Sequence, residues 1–99
     1  MTINKFILKG KQSVPCEDLM KWCKWFESAD RHVAKSGNDS VQISTVFLGI
    51  NHQFCGGVPV LFETMIFGGE HHDYQERYET WEQAEKGHKR ACKLAGVKP

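Results

Sequence analysis

Four side chains with metal-binding or nucleophilic chemistry lie in two short loops, His52 and Cys55 in NHQFCGGVP and His71 and His72 in GGEHHD. His52-x-x-Cys55 puts two zinc ligand types at chelating spacing, and His71-His72 would have to complete the shell. The second motif of a paired structural zinc site is missing, so the expectation is no cofactor, with these four residues the candidates should zinc be bound. Cys55 followed by Gly56-Gly57 also resembles a thiol beside backbone N–H donors, with His52 as its base. That chemistry needs a lowered thiol pKa and a positioned partner, and spacing shows neither. A small buried or half-exposed thiol is the plainer reading.

Glu63 is a carboxylate inside the apolar run VPVLFETMIF. On a buried face it would need a partner; on the open face of an antiparallel sheet it is a solvated strand residue, the favoured reading. His88 and Cys92 stand four apart on a helical stripe. A histidine on such a stripe is more often a core-edge residue satisfied by one hydrogen bond than a ligand. Lys9, Lys11, Lys86, Lys89, Arg90 and Lys93 could form a basic patch, but Glu82 and Glu85 interrupt it. No phosphate-binding glycine loop or carboxylate dyad is present.

The elements that must position these residues follow from periodicity. In Val41–Ile50, Val41, Ile43, Thr45 and Phe47 share one face of an extended chain. In Val60–Phe67, Val60, Phe62, Thr64 and Ile66 share one face, and Leu61, Glu63, Met65 and Phe67 the other. β-Branched and aromatic residues dominate both runs, which predicts two strands. Gly56-Gly57 and Pro59 predict a long, shaped connection between them, where binding residues are often mounted. Ile3–Leu8 predicts a first strand, turned by KGKQ. Val14-Pro15 predicts the start of a helix of about five turns, with Leu19, Trp22, Cys23, Phe26, Ala29 and Val33 as its apolar stripe and Gly37 as its stop. Residues 74–79 predict a polar edge strand. Thr80-Trp81-Glu82-Gln83 predicts a capping box, and the helix that follows buries Trp81, Ala84, His88, Ala91, Cys92 and Ala95. Gly87, mid-helix, points to close approach against the sheet. The order is β-α-β-β-β-α: an α+β fold with an antiparallel sheet of three to four strands and both amphipathic helices on one face.

Ninety-nine residues make one domain, and a net charge of +1 lacks the basic face a nucleic-acid binder needs. No apolar run nears the roughly 20 residues of a membrane span, and MTINKFILKGKQ carries no leader-like apolar segment. Four scattered cysteines suit free thiols in a reducing cytoplasm.

The segments DLMKWCKWFESADRHVA, STVFLGINHQF-GG-P-LFETMIFGG and RYETWEQAEKGH resemble a family of small proteins encoded by tailed phages and prophages. The resemblance spans roughly Pro15 to His88 and is most specific at STVFLG, His52, LFETM-FGG, RY-TW and Gly87-His88. Cys55 does not belong to the pattern. The resemblance implies a phage or prophage origin and a host-cytoplasmic setting, and supplies no mechanism. The functional expectation is a non-enzymatic protein-binding or regulatory module, acting on a host or phage protein through His52, Gln53, Phe54, Glu63 and Met65. The alternative is a small metal-binding protein or enzyme built on His52, Glu63 and nearby histidines. An edge strand, 74–79 or 3–8, could also pair two copies as a homodimer.

Overall fold

A computed structural model describes residues 4–53 and 56–99. The chain is α+β, as expected, but it contains more strands than the sequence reveals. Strands β1 (Phe6–Lys9) and β2 (Gln12–Pro15) form a hairpin. Helix α1 (Leu19–Ser28) follows. Strands β3 (His32–Gly37), β4 (Gln42–Phe47), β5 (Phe62–Phe67) and β6 (Gln75–Tyr78) form an antiparallel meander in that spatial order. Helix α2 (Trp81–Ala95) closes the chain.

The central strands pair as their alternation requires. Ile43 lies opposite Ile66, Thr45 opposite Thr64 and Phe47 opposite Phe62. All six are buried beneath α2. Helix α2 is capped as the sequence predicts. The Gln83 amide donates to Thr80 Oγ1 at 3.1 Å, and Gln83 Oε1 accepts from the Glu79 amide at 2.9 Å. The buried stripe of Ala84, Gly87, His88, Ala91 and Cys92 is small enough to let the helix settle onto the sheet. At Gly87 this becomes a requirement. A Cβ there would stand 2.1 Å from the hydroxyl and 2.2 Å from the ring of Tyr78, itself buried on β6.

The N-terminal third corrects the sequence reading. Val14-Pro15 ends β2 instead of opening a helix, and the true cap is Asp18, whose Oδ1 accepts from the Met20 and Lys21 amides. The helix runs ten residues, not five turns, and leaves at Ala29 in extended backbone. Asp30 then competes for the chain. Its carboxylate accepts from the His32 amide and meets the His32 ring at 3.1 Å, turning residues 32–37 into β3 alongside β4. Ala29 and Val33 fit the apolar stripe of α1 by spacing alone. The element order is therefore β-β-α-β-β-β-β-α, and the first predicted strand belongs to a separate two-stranded sheet, linked to the main body by a bridge between Lys5 and Ile50.

Among the described residues only α2 lies across the four-stranded sheet. Helix α1 packs on β1, reaching the core through Trp25, whose ring meets Phe47 edge-on. The Trp22 indole N–H is shared between the carbonyls of Phe6 and Gly49, at 3.0 and 3.1 Å. Trp22→Phe keeps the ring packing and removes that donor. It is expected to cost about 1 kcal/mol, read as a lower urea midpoint at unchanged slope.

Candidate binding face and a buried polar chain

The face of the sheet away from α2 carries Lys35, Gln42, Ser44, Val46, Glu63, Met65, Phe67, Gln75 and Arg77. Register groups them in rows: Val46, Glu63 and Arg77 in one, and Lys35, Ser44, Met65 and Gln75 in the next. Phe67 is 44% exposed, Met65 and Val46 are partly buried, and Gln75 and Arg77 are exposed.

Glu63 departs from the favoured sequence reading. It is 9% exposed, and its carboxylate is held by two neighbours on β6. Arg77 donates through Nε at 2.9 Å, and the Gln75 side-chain amide donates to the same oxygen. Arg77 stands directly opposite Glu63 in the ladder and Gln75 is two residue pairs further on, on the same face, so the pairing is a product of register. Arg77→Ala would leave a nearly buried carboxylate with one neutral donor. Arg77 is itself partly exposed, so the expected loss is about 1–2 kcal/mol, largely recovered when Glu63→Gln is added. Chemical denaturation of the single and double variants checks it.

His52 and Gln53 sit at the start of the connection between β4 and β5, half-buried. The His52 amide donates to the Val60 carbonyl at 3.0 Å. Asn51 Oδ1 accepts from the amides of Gln53 and Val60, so one side chain gathers both ends of the loop. Phe54 and Cys55 lie outside the described residues, so the readings that depend on them have no structural counterpart here. His71 and His72 lie beyond the opposite end of β5. His72 Nδ1 accepts from the Gly68 amide at 2.8 Å, and its Nε2 stands 3.3 Å from Asp73 Oδ1. The meander thus holds His52 apart from the histidine pair. Among the described residues no three His, Cys, Asp or Glu side chains come together as a metal shell. No hydrogen bond or ion pair joins His52 to Glu63 among them.

Beneath α2 lies a site that the sequence reading only half finds. His88 is 3% exposed and bonded at both ring nitrogens, Nδ1 to Thr45 Oγ1 at 2.7 Å and Nε2 to Ser36 Oγ at 2.8 Å. Thr45 Oγ1 meets Thr64 Oγ1 at 2.5 Å. Four residues from β3, β4, β5 and α2 thus form one chain of polar groups through an apolar layer. Burial pushes the His88 pKa below its ordinary value, so the ring is neutral at neutral pH, with one nitrogen donating and one accepting. The signal in the sequence was two threonines on the inward faces of adjacent strands, facing a histidine on the helical stripe. Ser36 gives none, because residues 36–40 read as a polar connection after a helix. Cys92, four residues from His88, is buried in the neighbouring cluster with Ile43, Ile66 and Ala91.

The chain matches no protein-family model, no curated protein and no solved structure. Its site is therefore read from its own geometry. In that geometry Thr45, Thr64 and His88 meet in the buried chain, Gly87 meets Tyr78, and Glu63 meets Arg77. No helix among the described residues is long and apolar enough to cross a membrane.

Proposed function

We propose that this chain is a small protein-binding module, of phage or prophage origin and working in the host cytoplasm, whose contact surface is the sheet face opposite α2. The observation that carries the reading is Phe67, a large apolar side chain left 44% exposed beside Met65 on a face that α2 does not cover. Around it stand Gln42, Ser44 and Gln75, with the cations Lys35 and Arg77. Glu63 is engaged by Arg77, so the charge left for a partner on this face is positive. An apolar centre with a polar, cationic rim suits a protein surface of apolar contacts flanked by carboxylates. His52 and Gln53 lie in the connection between β4 and β5, two strands of this face. Strand β6, an outer strand of the sheet, is where a second copy would add on to make a homodimer. For the alternative reading as an enzyme or metal protein built on His52 and Glu63, Glu63 would first have to leave Arg77.

The test is capture from host lysate with wild type, Phe67→Glu and Leu94→Glu as paired baits. Leu94, 46% exposed on α2, serves as a control away from the face. A protein retained by wild type and by Leu94→Glu but lost by Phe67→Glu is the expected result. Identical recoveries on all three baits, or none, would remove the proposal.

A further inference from the structure

The buried polar chain ends differently on its two sides. Thr45 and Thr64 are fully buried. Ser36, at the other end, is partly exposed on the outer strand β3 and helps line an open cleft of about 370 Å³ at the β3–β4 turn, with Lys35, Gly37, Asn38, Gln42 and Ile43. The order here is hydroxyl, imidazole and orienting group, with bonds of 2.8 and 2.7 Å. That is the arrangement of a nucleophile, its base and the residue that fixes the base.

The backbone around Ser36 adds to this. The Asn38 amide donates to Val41 and the Phe47 amide to Arg31, which fixes the alternation of the β3–β4 ladder. Ser36, opposite Ile43, then turns its backbone toward β4, and the N–H groups of Lys35 and Gly37 point outward from the sheet. Neither N–H has a partner among the described residues. Gly37 holds φ +121°, and a Cβ there would lie 2.1 Å from the Val41 carbonyl oxygen, so glycine is required next to the serine.

We propose that Ser36 is a nucleophile primed by His88, which accepts an acyl group from a small activated ester entering the cleft. His88 carries its proton on Nδ1, donated to Thr45, and leaves Nε2 to take the proton of Ser36. Ser36 Oγ bonds to the ester carbonyl carbon while its proton moves to Nε2. The bond to the leaving alkoxide then breaks, and the alkoxide takes that proton and departs as the alcohol, leaving acyl-Ser36. In the second half, water adds to the acyl carbon and gives a proton to Nε2. The acid departs as that proton returns to Ser36. Thr45 is a positioning residue. It supplies no charge to an imidazolium, which slows both halves; with a leaving group as good as nitrophenolate the acyl group is expected to form faster than it is released.

The experiment uses the full chain with p-nitrophenyl acetate as probe. A burst of nitrophenolate, one acetyl group per chain on intact mass and its location on Ser36 by peptide mapping are expected. Ser36→Ala should abolish the burst with an unchanged circular dichroism spectrum. His88→Gln should slow it roughly 100-fold, and Thr45→Val roughly 10-fold. Because His88→Gln can also disturb folding, the ring tautomer is read separately from the nitrogen shifts of wild-type His88. A proton on Nε2 would make Ser36 the acceptor and overturn the proposal. So would an unacetylated chain, acetylation that persists in Ser36→Ala, or a burst unchanged in Thr45→Val.

Discussion

Gly87→Ala is expected to destabilise this protein, although the exchange favours a helix. In an exposed helix interior alanine gains about 1 kcal/mol over glycine. Here the added methyl group would fall 2.1 Å from the Tyr78 hydroxyl and 2.2 Å from its ring. Tyr78 is 5% exposed and belongs to the cluster of Phe6, Phe47, Leu61, Phe62 and Ala84, so the ring has nowhere to swing without pushing that cluster apart. Overpacking of this kind costs about 1–3 kcal/mol and wins over propensity when the neighbour is closed in. The expected net loss is about 2 kcal/mol, seen as a lower thermal midpoint. Lys86→Ala, one residue away on the exposed side, is the control and should change stability by no more than about 0.5 kcal/mol. Equal stability of Gly87→Ala and wild type would mean that α2 sits further from β6 than described.

The other large effect belongs to His88. Removing the imidazole with His88→Ala leaves the hydroxyls of Ser36 and Thr45 without their ring partners and opens a void beneath α2. An unsatisfied buried group costs about 1–3 kcal/mol, and the void adds to it. A total near 3 kcal/mol is expected, a large share of the roughly 5–15 kcal/mol that holds a domain together. The same residue sets a pH dependence. Its folded pKa is lowered by burial, while the unfolded ring titrates near 6.5. Below that pH the unfolded chain binds a proton that the folded chain does not, so stability falls as the solution is acidified. The loss begins near pH 6.5 and continues down to the folded pKa, with a slope of at most about 1.4 kcal/mol per pH unit for one proton. Asp30 and Glu76, whose carboxyls are held below their ordinary values by hydrogen bonds from His32 and Tyr74, act at lower pH, as their own pKa values are crossed. Urea midpoints between pH 7.5 and 5, compared between wild type and His88→Gln, separate the two windows. A midpoint in wild type that does not move between pH 7 and 5 would contradict the burial of His88.

The parts of this fold legible in the sequence are those whose signal is local. Ile43, Thr45 and Phe47 alternate strictly, as do Phe62, Thr64 and Ile66, and both faces follow from counting by twos. Helix α2 announces itself through Thr80, Gln83 and Gly96. The elements that were missed depend on partners far along the chain. QSVP is a strand because FILK lies beside it, and HVAKSG because β4 offers it an edge. Neither has a pattern of its own, and Ala29 and Val33 happened to continue a helical spacing that Asp30 breaks. Glu63 was misjudged for the same reason, since its environment is set by Arg77, fourteen positions later and across a turn. Ser36 became visible only once β3 existed.

The N-terminal hairpin and α1 are joined to the rest through few anchors: the Trp22 indole, Trp25 on Phe47, Phe6 in the core, and the backbone bonds of Asn4, Lys5 and Phe6 to residues 49–51. The four central strands and α2 share a denser set of contacts. Residues 4–28 are therefore expected to open as one flap before the remainder does. In deuterium exchange, the amides of α1 and both hairpin strands should lose protection together and well before those of Ile43–Phe47. While the flap is raised, Phe47 and Phe62 meet solvent at one end of the molecule.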